Sequence, residues 1–233
     1  METVAGEWIM HGIPDTDPNC IHNFDELTDF INKVGFMPLF ENDIKGFSVE
    51  EHCNPKYWWS EDWDRDPWEW RIQAARSHKM AYGKFFKGKA GFISLEWLPV
   101  FANARRDGYD FDALWDDEKA SRRQKLIMDC FENGQAIFSN KLKEMAGFGK
   151  GGEKNFEGTL TGLQDKIYLV VSDFRQRINQ KGQPYGWHVA VFSKPEDIWG
   201  YDLVTSYYSK EEPVESFRKI NQQIDDIIKI RID

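Results

Sequence analysis

The chain has 233 residues, 41% of them apolar and 30% charged, with a formal net charge of −9. That length can bury a sizeable core in one large or two small units, and the composition excludes a disordered or fibrous chain. No apolar run approaches the roughly 20 residues of a membrane helix, and METVAGEWIMHGIPDTD has none of the basic-then-apolar order of a secretory signal.

Residues 1–22, with Pro14, Pro18 and several acids, predict an irregular, loosely held arm. Asn23 or Asp25 caps a helix carrying Leu27, Phe30, Ile31 and Val34, closed by Gly35. Residues 36–40 form a short extended apolar segment. Trp58, Trp59, Trp63, Trp68 and Trp70 follow among Glu61, Asp62, Asp64 and Asp66, and Asp66-Pro67 marks a turn leading into a helix or turn. Tyr82–Phe86 and Gly91–Leu95 read as strands around Lys87-Gly88-Lys89, and residues 95–104 as a buried helix. The acidic stretch 109–119 is a connector and the expected domain boundary.

Ser121–Gly134 has helical spacing at Leu126, Ile127, Cys130 and Phe131. A second helix follows with Ser139 as N-cap and Leu142, Met145 and Ala146 on one face. After a glycine-rich turn, Phe156, Leu160 and Leu163 mark a third. Ile167–Val171 and Trp187–Phe192 then form a hairpin whose tip, 175–186, is polar and mobile. Three helices and a basic hairpin are the plan of a winged helix-turn-helix. The tail, 213–230, is a helix with Phe217, Ile220, Ile224 and Ile227 at a 3-4-3 spacing. It either packs on its own chain or forms a homodimer seam. The expected class is α+β: arm 1–22, N-terminal α+β module 23–115, winged helix-turn-helix 116–209, C-terminal helix 210–233.

The net charge opposes DNA at long range, yet the hairpin tip has cations and no acid. Expected DNA contacts are Lys150, Lys154, Asn155 and Thr161 around the third helix, with Arg175, Arg177 and Lys181 from the wing. Cations meet phosphates, and Asn155 suits an adenine edge. The tryptophan cluster reads as an aromatic core with indoles paired to carboxylates. Alternatively Trp58, Trp68, Trp70 and Tyr82 wall a pocket for a flat ligand such as an extruded base. Glu69, between two tryptophans, is the candidate catalytic carboxylate against a simpler role as a bonded one. Cys20-x-His22 and His52-Cys53 lack the usual zinc spacing, so no metal or cofactor is expected. Three scattered cysteines (20, 53 and 130) predict free thiols in a reducing, cytoplasmic setting.

At Trp68-Glu69-Trp70, Tyr82-Gly83-Lys84, Ser94-Leu95-Glu96-Trp97-Leu98-Pro99 and Tyr201-Asp202-Leu203-Val204, the sequence resembles the short AlkZ-related proteins, relatives of the AlkZ/YcaQ winged-helix DNA glycosylases. The resemblance runs from about His22 to Tyr208. It implies winged-helix units that engage DNA and a place in DNA repair. The glycosylases use a Gln-x-Gln or Gln-x-Asp pair. Here Gln73 precedes two alanines, Gln176 and Gln180 are too far apart, and Gln223-Ile224-Asp225 lies beyond the resembling stretch, so no catalytic residue carries over. The competing expectation is a non-enzymatic interaction module with a degenerate winged helix.

Overall fold

In the computed structural model, which describes residues 2–4, 7–179 and 181–230, the chain opens on two paired strands, β1 (Glu2–Val4) and β2 (Glu7–Ile9). Residues 1, 5 and 6 of the expected irregular arm, and Gln180, lie outside the described residues. The rest of the arm is tied down by partners far along the chain. The Asp15 carboxylate accepts from Lys56 at 2.8 Å and Asn54 at 3.1 Å, and pairs with Arg65 at 3.0 Å. The Lys56 hydrogen bond, helped by Asn54 and Arg65, outweighs desolvation and holds the carboxyl down at about 2.

Helix α1 (Phe24–Val34) begins where Asn23 accepts the Glu26 N–H at 2.9 Å and ends at Gly35, whose φ of 91° suits glycine. Leu27, Ile31 and Val34 form its buried stripe. Strand β3 (Phe36–Pro38) follows directly. Asp66 caps α2 (Pro67–Ser77), with Pro67 in the first turn, where its missing N–H is no loss. Strands β4 (Met80–Phe86) and β5 (Lys89–Ser94) complete an antiparallel sheet ordered β3-β5-β4, and α3 (Leu98–Arg106) covers it. Phe36 meets Phe101 and Trp97 edge-on at 4.7 and 5.1 Å. The acidic connector contains a short helix, α4 (Phe111–Asp116), because Phe111 finds an apolar partner in Tyr168 at 5.4 Å.

Helix α5 (Arg122–Met128) starts with a full capping box: Ser121 Oγ accepts the Gln124 N–H and Gln124 Oε1 accepts the Ser121 N–H. Ser121→Ala should lower stability by about 1 kcal/mol in a denaturant titration, with an unchanged slope. The expected helix to Gly134 tightens after Met128 into a 3-10 turn, 129–131. Strand β6 (Ile137–Phe138), absent from the sequence expectations, leads into α6 (Ser139–Met145). Two corrections fall here. Phe138, with no side-chain bond, is the N-cap in place of Ser139, and Met145 is 45% exposed, off the buried face of Leu142 and Ala146. Helix α7 (Phe156–Asp165) buries Phe156, Leu160 and Leu163 as expected.

Strands β7 (Val170–Ile178) and β8 (Pro184–Ser193) form a longer hairpin than expected, and β6 adds to it, giving the order β6-β8-β7. The predicted start at Ile167 is displaced because Ile167 is in a tight turn with φ 61°, a conformation β-branched residues rarely adopt. Its carbonyl accepts from Arg106. Short helices α8 (Pro195–Trp199) and α9 (Tyr201–Val204) lead to α10 (Pro213–Ile230). This tail packs back on α3. Asn103 donates to Ser216 Oγ at 3.0 Å and the Glu211 carbonyl at 3.1 Å, while Ile220 and Ile227 are buried. Phe217, on the expected apolar stripe, is 57% exposed.

One cluster of buried residues continues from Ile21 to Ile227, across the expected boundary. Two arginines of α3 cross the same junction. Arg105 donates to the carbonyls of Phe85 and Asp165, and Arg106 to Glu196 and the Ile167 carbonyl. The Lys84 N–H adds a bond to Gln164 Oε1 at 3.1 Å.

Candidate nucleic-acid interface and a cavity beside Arg71

Beyond Phe174 the β7–β8 hairpin leaves the core. From Arg175 to Ser193 it carries Arg175, Arg177 and Lys181 and no acid. Its pairing is irregular: Arg175 faces Val189 and Arg177 faces Tyr185, so Gly186, Trp187 and His188 stand opposite Gln176 alone. Gly186 takes φ 72°, and its carbonyl accepts from Gln176 Nε2 at 3.1 Å. Such a bulge re-aims the side chains beside it. Trp187 is 92% exposed, and Ile178 and Tyr185 are exposed with it. Large apolar side chains held in water mark an interaction surface, and aromatics beside cations form the usual platform for nucleic-acid bases. Sequence reading found the cations and missed the aromatics, because a β-branched and aromatic run reads as a strand facing the core.

Arg175 is partly neutralised: its Nε donates to Asp173, which also accepts from Arg76 at 2.8 Å. Arg177 and Lys181 have no ion pair among the described residues. The tip is a turn, Asn179 Oδ1 accepting the N–H groups of Lys181 at 2.9 Å and Gln183 at 3.0 Å. Lys150, Lys154 and Asn155 are exposed beside the start of α7, and Asn155 takes a left-handed φ of 65°. Thr161 is half-buried, close to Gly88 in the β4–β5 turn. The C-terminal half of α7 therefore lies against the N-terminal sheet, and only its first turn faces open solvent.

The tryptophan-rich segment is packed aromatic structure for the most part. Trp70 is fully buried and Trp58 nearly so, with Phe40 at 5.4 Å from Trp58. The indoles are not paired with carboxylates: Trp70 Nε1 donates to the Asp64 carbonyl at 2.7 Å, and Trp58 Nε1 has no partner among the described residues. Glu69, expected either as a catalytic or as a bonded carboxylate, keeps one oxygen, Oε2, enclosed and without a hydrogen bond among the described residues. Of the four expected pocket residues, Tyr82 lines a cavity and Trp68 stands behind it, stacked on Arg71.

That cavity, of about 230 Å³, lies between β4 and the unit formed by α6, α7, β7 and β8. Arg71 and Tyr82 enter it from the N-terminal side; Ser139, Thr161 and Phe174 enter from the other. Arg71 is 8% exposed, its guanidinium carbon 3.8 Å from the Trp68 ring centre and 4.5 Å from that of Phe174. The rings cover the guanidinium, yet Arg71 has no hydrogen bond or ion pair among the described residues, and its Nε is enclosed and unpaired. Burial pushes its pKa down, opposed by the fields of Tyr82, Glu69 and Asp66.

Burial pushes the Tyr82 hydroxyl up to about 12, against the opposing pull of Arg71. A folded pKa above the unfolded value of about 10 means that the neutral phenol stabilises the fold. This contribution is complete below pH 10 and lost as pH rises through about 12. Wild type should lose on the order of 2 kcal/mol more than Tyr82→Phe across that window, measured by urea titration at each pH.

Asp15, Cys20 and His22 place one donor atom each within 4.8 Å of one another. These donors are already engaged: Asp15 by Lys56 and Arg65, His22 Nδ1 by Glu26 at 2.9 Å. Cys20 and Cys53 are buried, and desolvation raises both thiols.

No curated protein and no solved structure matches the chain. A family model does match, described as AlkZ related, over residues 21–231. The match extends past Tyr208 through the whole of α10, so the literal Gln223-Ile224-Asp225 falls inside it. There, however, the Gln223 side-chain amide donates to the Val34 carbonyl at 2.9 Å and ties α10 to α1. With a family model matched over nearly its whole length, the chain belongs to the AlkZ-related family.

Proposed function

We propose that this AlkZ-related protein binds duplex DNA through a winged helix-turn-helix, residues 116–209, and serves in the repair of DNA in the cytoplasm. The order α5-β6-α6-α7-β7-β8, with β6 paired to β8, supports the winged-helix reading. The N-terminal module, 23–115, and the tail, 210–233, brace that unit. The observation that carries the proposal is the acid-free stretch of the hairpin from Arg175 to Ser193, with Arg177 and Lys181 in no ion pair among the described residues and Trp187 held 92% exposed. The cations track phosphates, the aromatic ring contacts bases or sugar, and the open first turn of α7 adds Lys154 and Asn155. The rest of the acidic surface keeps the contact local and weak at high salt.

The proposed function is binding, without a bond-breaking step. Gln223 holds Val34, and Glu69 is not among the residues lining the Arg71 cavity. The deciding experiment is a fluorescence-anisotropy titration with labelled duplex, intact and alkylated, between about 50 and 200 mM salt. Affinity should fall steeply with salt, and the alkylated duplex should bind more tightly. Affinity that is flat with salt would exclude the DNA reading.

A further inference from the structure

The Arg71 cavity plays no part in the wing's contacts, and its chemistry is unlike theirs. A buried guanidinium normally meets a carboxylate, because an unpaired charge in low dielectric is expensive. Here Asp66 and Glu69 act on Arg71 through space, and neither forms an ion pair with it. Asp66 instead accepts the Trp68 N–H at 2.8 Å as the cap of α2. Trp68 and Phe174 cover the guanidinium, its carbon 3.8 and 4.5 Å from their ring centres, and leave its N–H fork without a partner among the described residues. Such a fork matches an oxyanion in two-point fashion.

The remaining polar groups extend that match. The Tyr82 hydroxyl has no hydrogen bond among the described residues, and Ser139, Thr161 and the exposed Lys84 are among the residues that line the same cavity. One guanidinium, one ammonium and three hydroxyls exceed what a carboxylate uses and suit the several oxygens of a phosphoryl group. Glu157, exposed on α7, is the one acid among the lining residues, so cations outnumber acids there. Apart from Gln164, whose Oε1 already accepts the Lys84 N–H, the other walls, including Leu160, Phe174 and Phe192, are mostly apolar, which favours a phosphate joined to an organic body over the bare ion.

We propose that this cavity binds a phosphate monoester, its phosphoryl oxygens on the Arg71 edge and the Tyr82 hydroxyl. The ester comes either from a free nucleoside 5′-monophosphate or from the 5′-terminal phosphate of a DNA strand. The inference goes beyond the wing reading and does not rest on it.

Deoxynucleoside 5′-monophosphate, inorganic phosphate, and a short single-stranded oligonucleotide with a 5′-phosphate or a 5′-hydroxyl are each titrated into the full chain. Binding is followed by isothermal calorimetry and by melting temperature. The monoester should bind and, at about a hundredfold its Kd, raise Tm by roughly 5–10 °C; inorganic phosphate should bind more weakly. A preference for the 5′-phosphorylated over the 5′-hydroxyl oligonucleotide assigns the source to a strand end; binding of the mononucleotide alone assigns it to a free nucleotide. Arg71→Lys, which keeps the charge and loses the fork, should weaken binding at least tenfold. Tyr82→Phe, which removes one hydroxyl from the same ring, should weaken it severalfold and guards against a misfolded arginine variant. Arg177→Glu with Lys181→Glu should leave it unchanged, so loss of duplex binding and loss of this site are separable. No heat with either monoester form, or equal binding by wild type and a folded Arg71→Lys, would overturn the proposal.

Discussion

Arg106→Ala should lower the stability of the chain by about 3–5 kcal/mol, read as a shift of the urea midpoint and a large share of a typical domain's total stability. The side chain is 1% exposed and lies where the two halves of the chain meet. It donates to Glu196 at 2.5 Å, to the Ile167 carbonyl and to the Tyr208 hydroxyl at 3.4 Å, and stands 4.6 Å from the centre of the Tyr168 ring. Truncation leaves a carboxylate only 20% exposed without its cation and a turn carbonyl without its donor. It also removes the donor that holds the carbonyl of Ile167 in the left-handed turn just before β7. A midpoint shift below about 1 kcal/mol would show that water replaces the guanidinium without loss and that the junction does not depend on it.

Trp187→Ala should weaken binding to DNA by about 1–3 kcal/mol, between fivefold and a hundredfold and more, while leaving the melting temperature of the free protein unchanged. The second half of that expectation is the discriminating one. A side chain 92% exposed contributes little to folding, so any loss of affinity belongs to the contact itself. Arg177→Glu with Lys181→Glu tests the other component. Removing two phosphate contacts should reduce the slope of log affinity against log salt by about 2, and reversing their charge should abolish binding at moderate salt. Adding Lys154→Glu should deepen the loss only if the first turn of α7 reaches the duplex with the wing. Unchanged affinity in both wing variants would remove the hairpin from the interface and favour an interaction module, with Trp187 then facing a protein.

The local signals of this sequence were strong, and they account for most of the elements. Asn23 with Gly35 and Asp66 with Pro67 delimit their helices because caps and φ-restricted residues act within one turn of the chain. Lys87-Gly88 places the β4–β5 turn for the same reason. The stripes of α1 and α7, and Ile220 and Ile227 of α10, were legible because a buried face repeats at the helical period, whereas Phe217 on the same spacing faces solvent. The misread elements depend on distant partners. β6 is two residues long and exists because β8 lies alongside it. The 109–119 stretch forms a helix because Tyr168 receives Phe111.

The candidate sites divide along the same line. The α+β class, the order of helices and hairpin, the acid-free basic tip and the family resemblance were all legible along the chain, because they rest on neighbours in it. Packing set the rest: Trp187 faces water, Thr161 lies against the β4–β5 turn, and Arg71 is buried beside Trp68 and Phe174 without a carboxylate partner among the described residues. A bulge, a helix face covered by another sheet and an unpaired buried charge are relations between residues tens to a hundred positions apart. Spacing along the chain carries no information about such relations, because packing of one core, continuous from Ile21 to Ile227, sets them all at once.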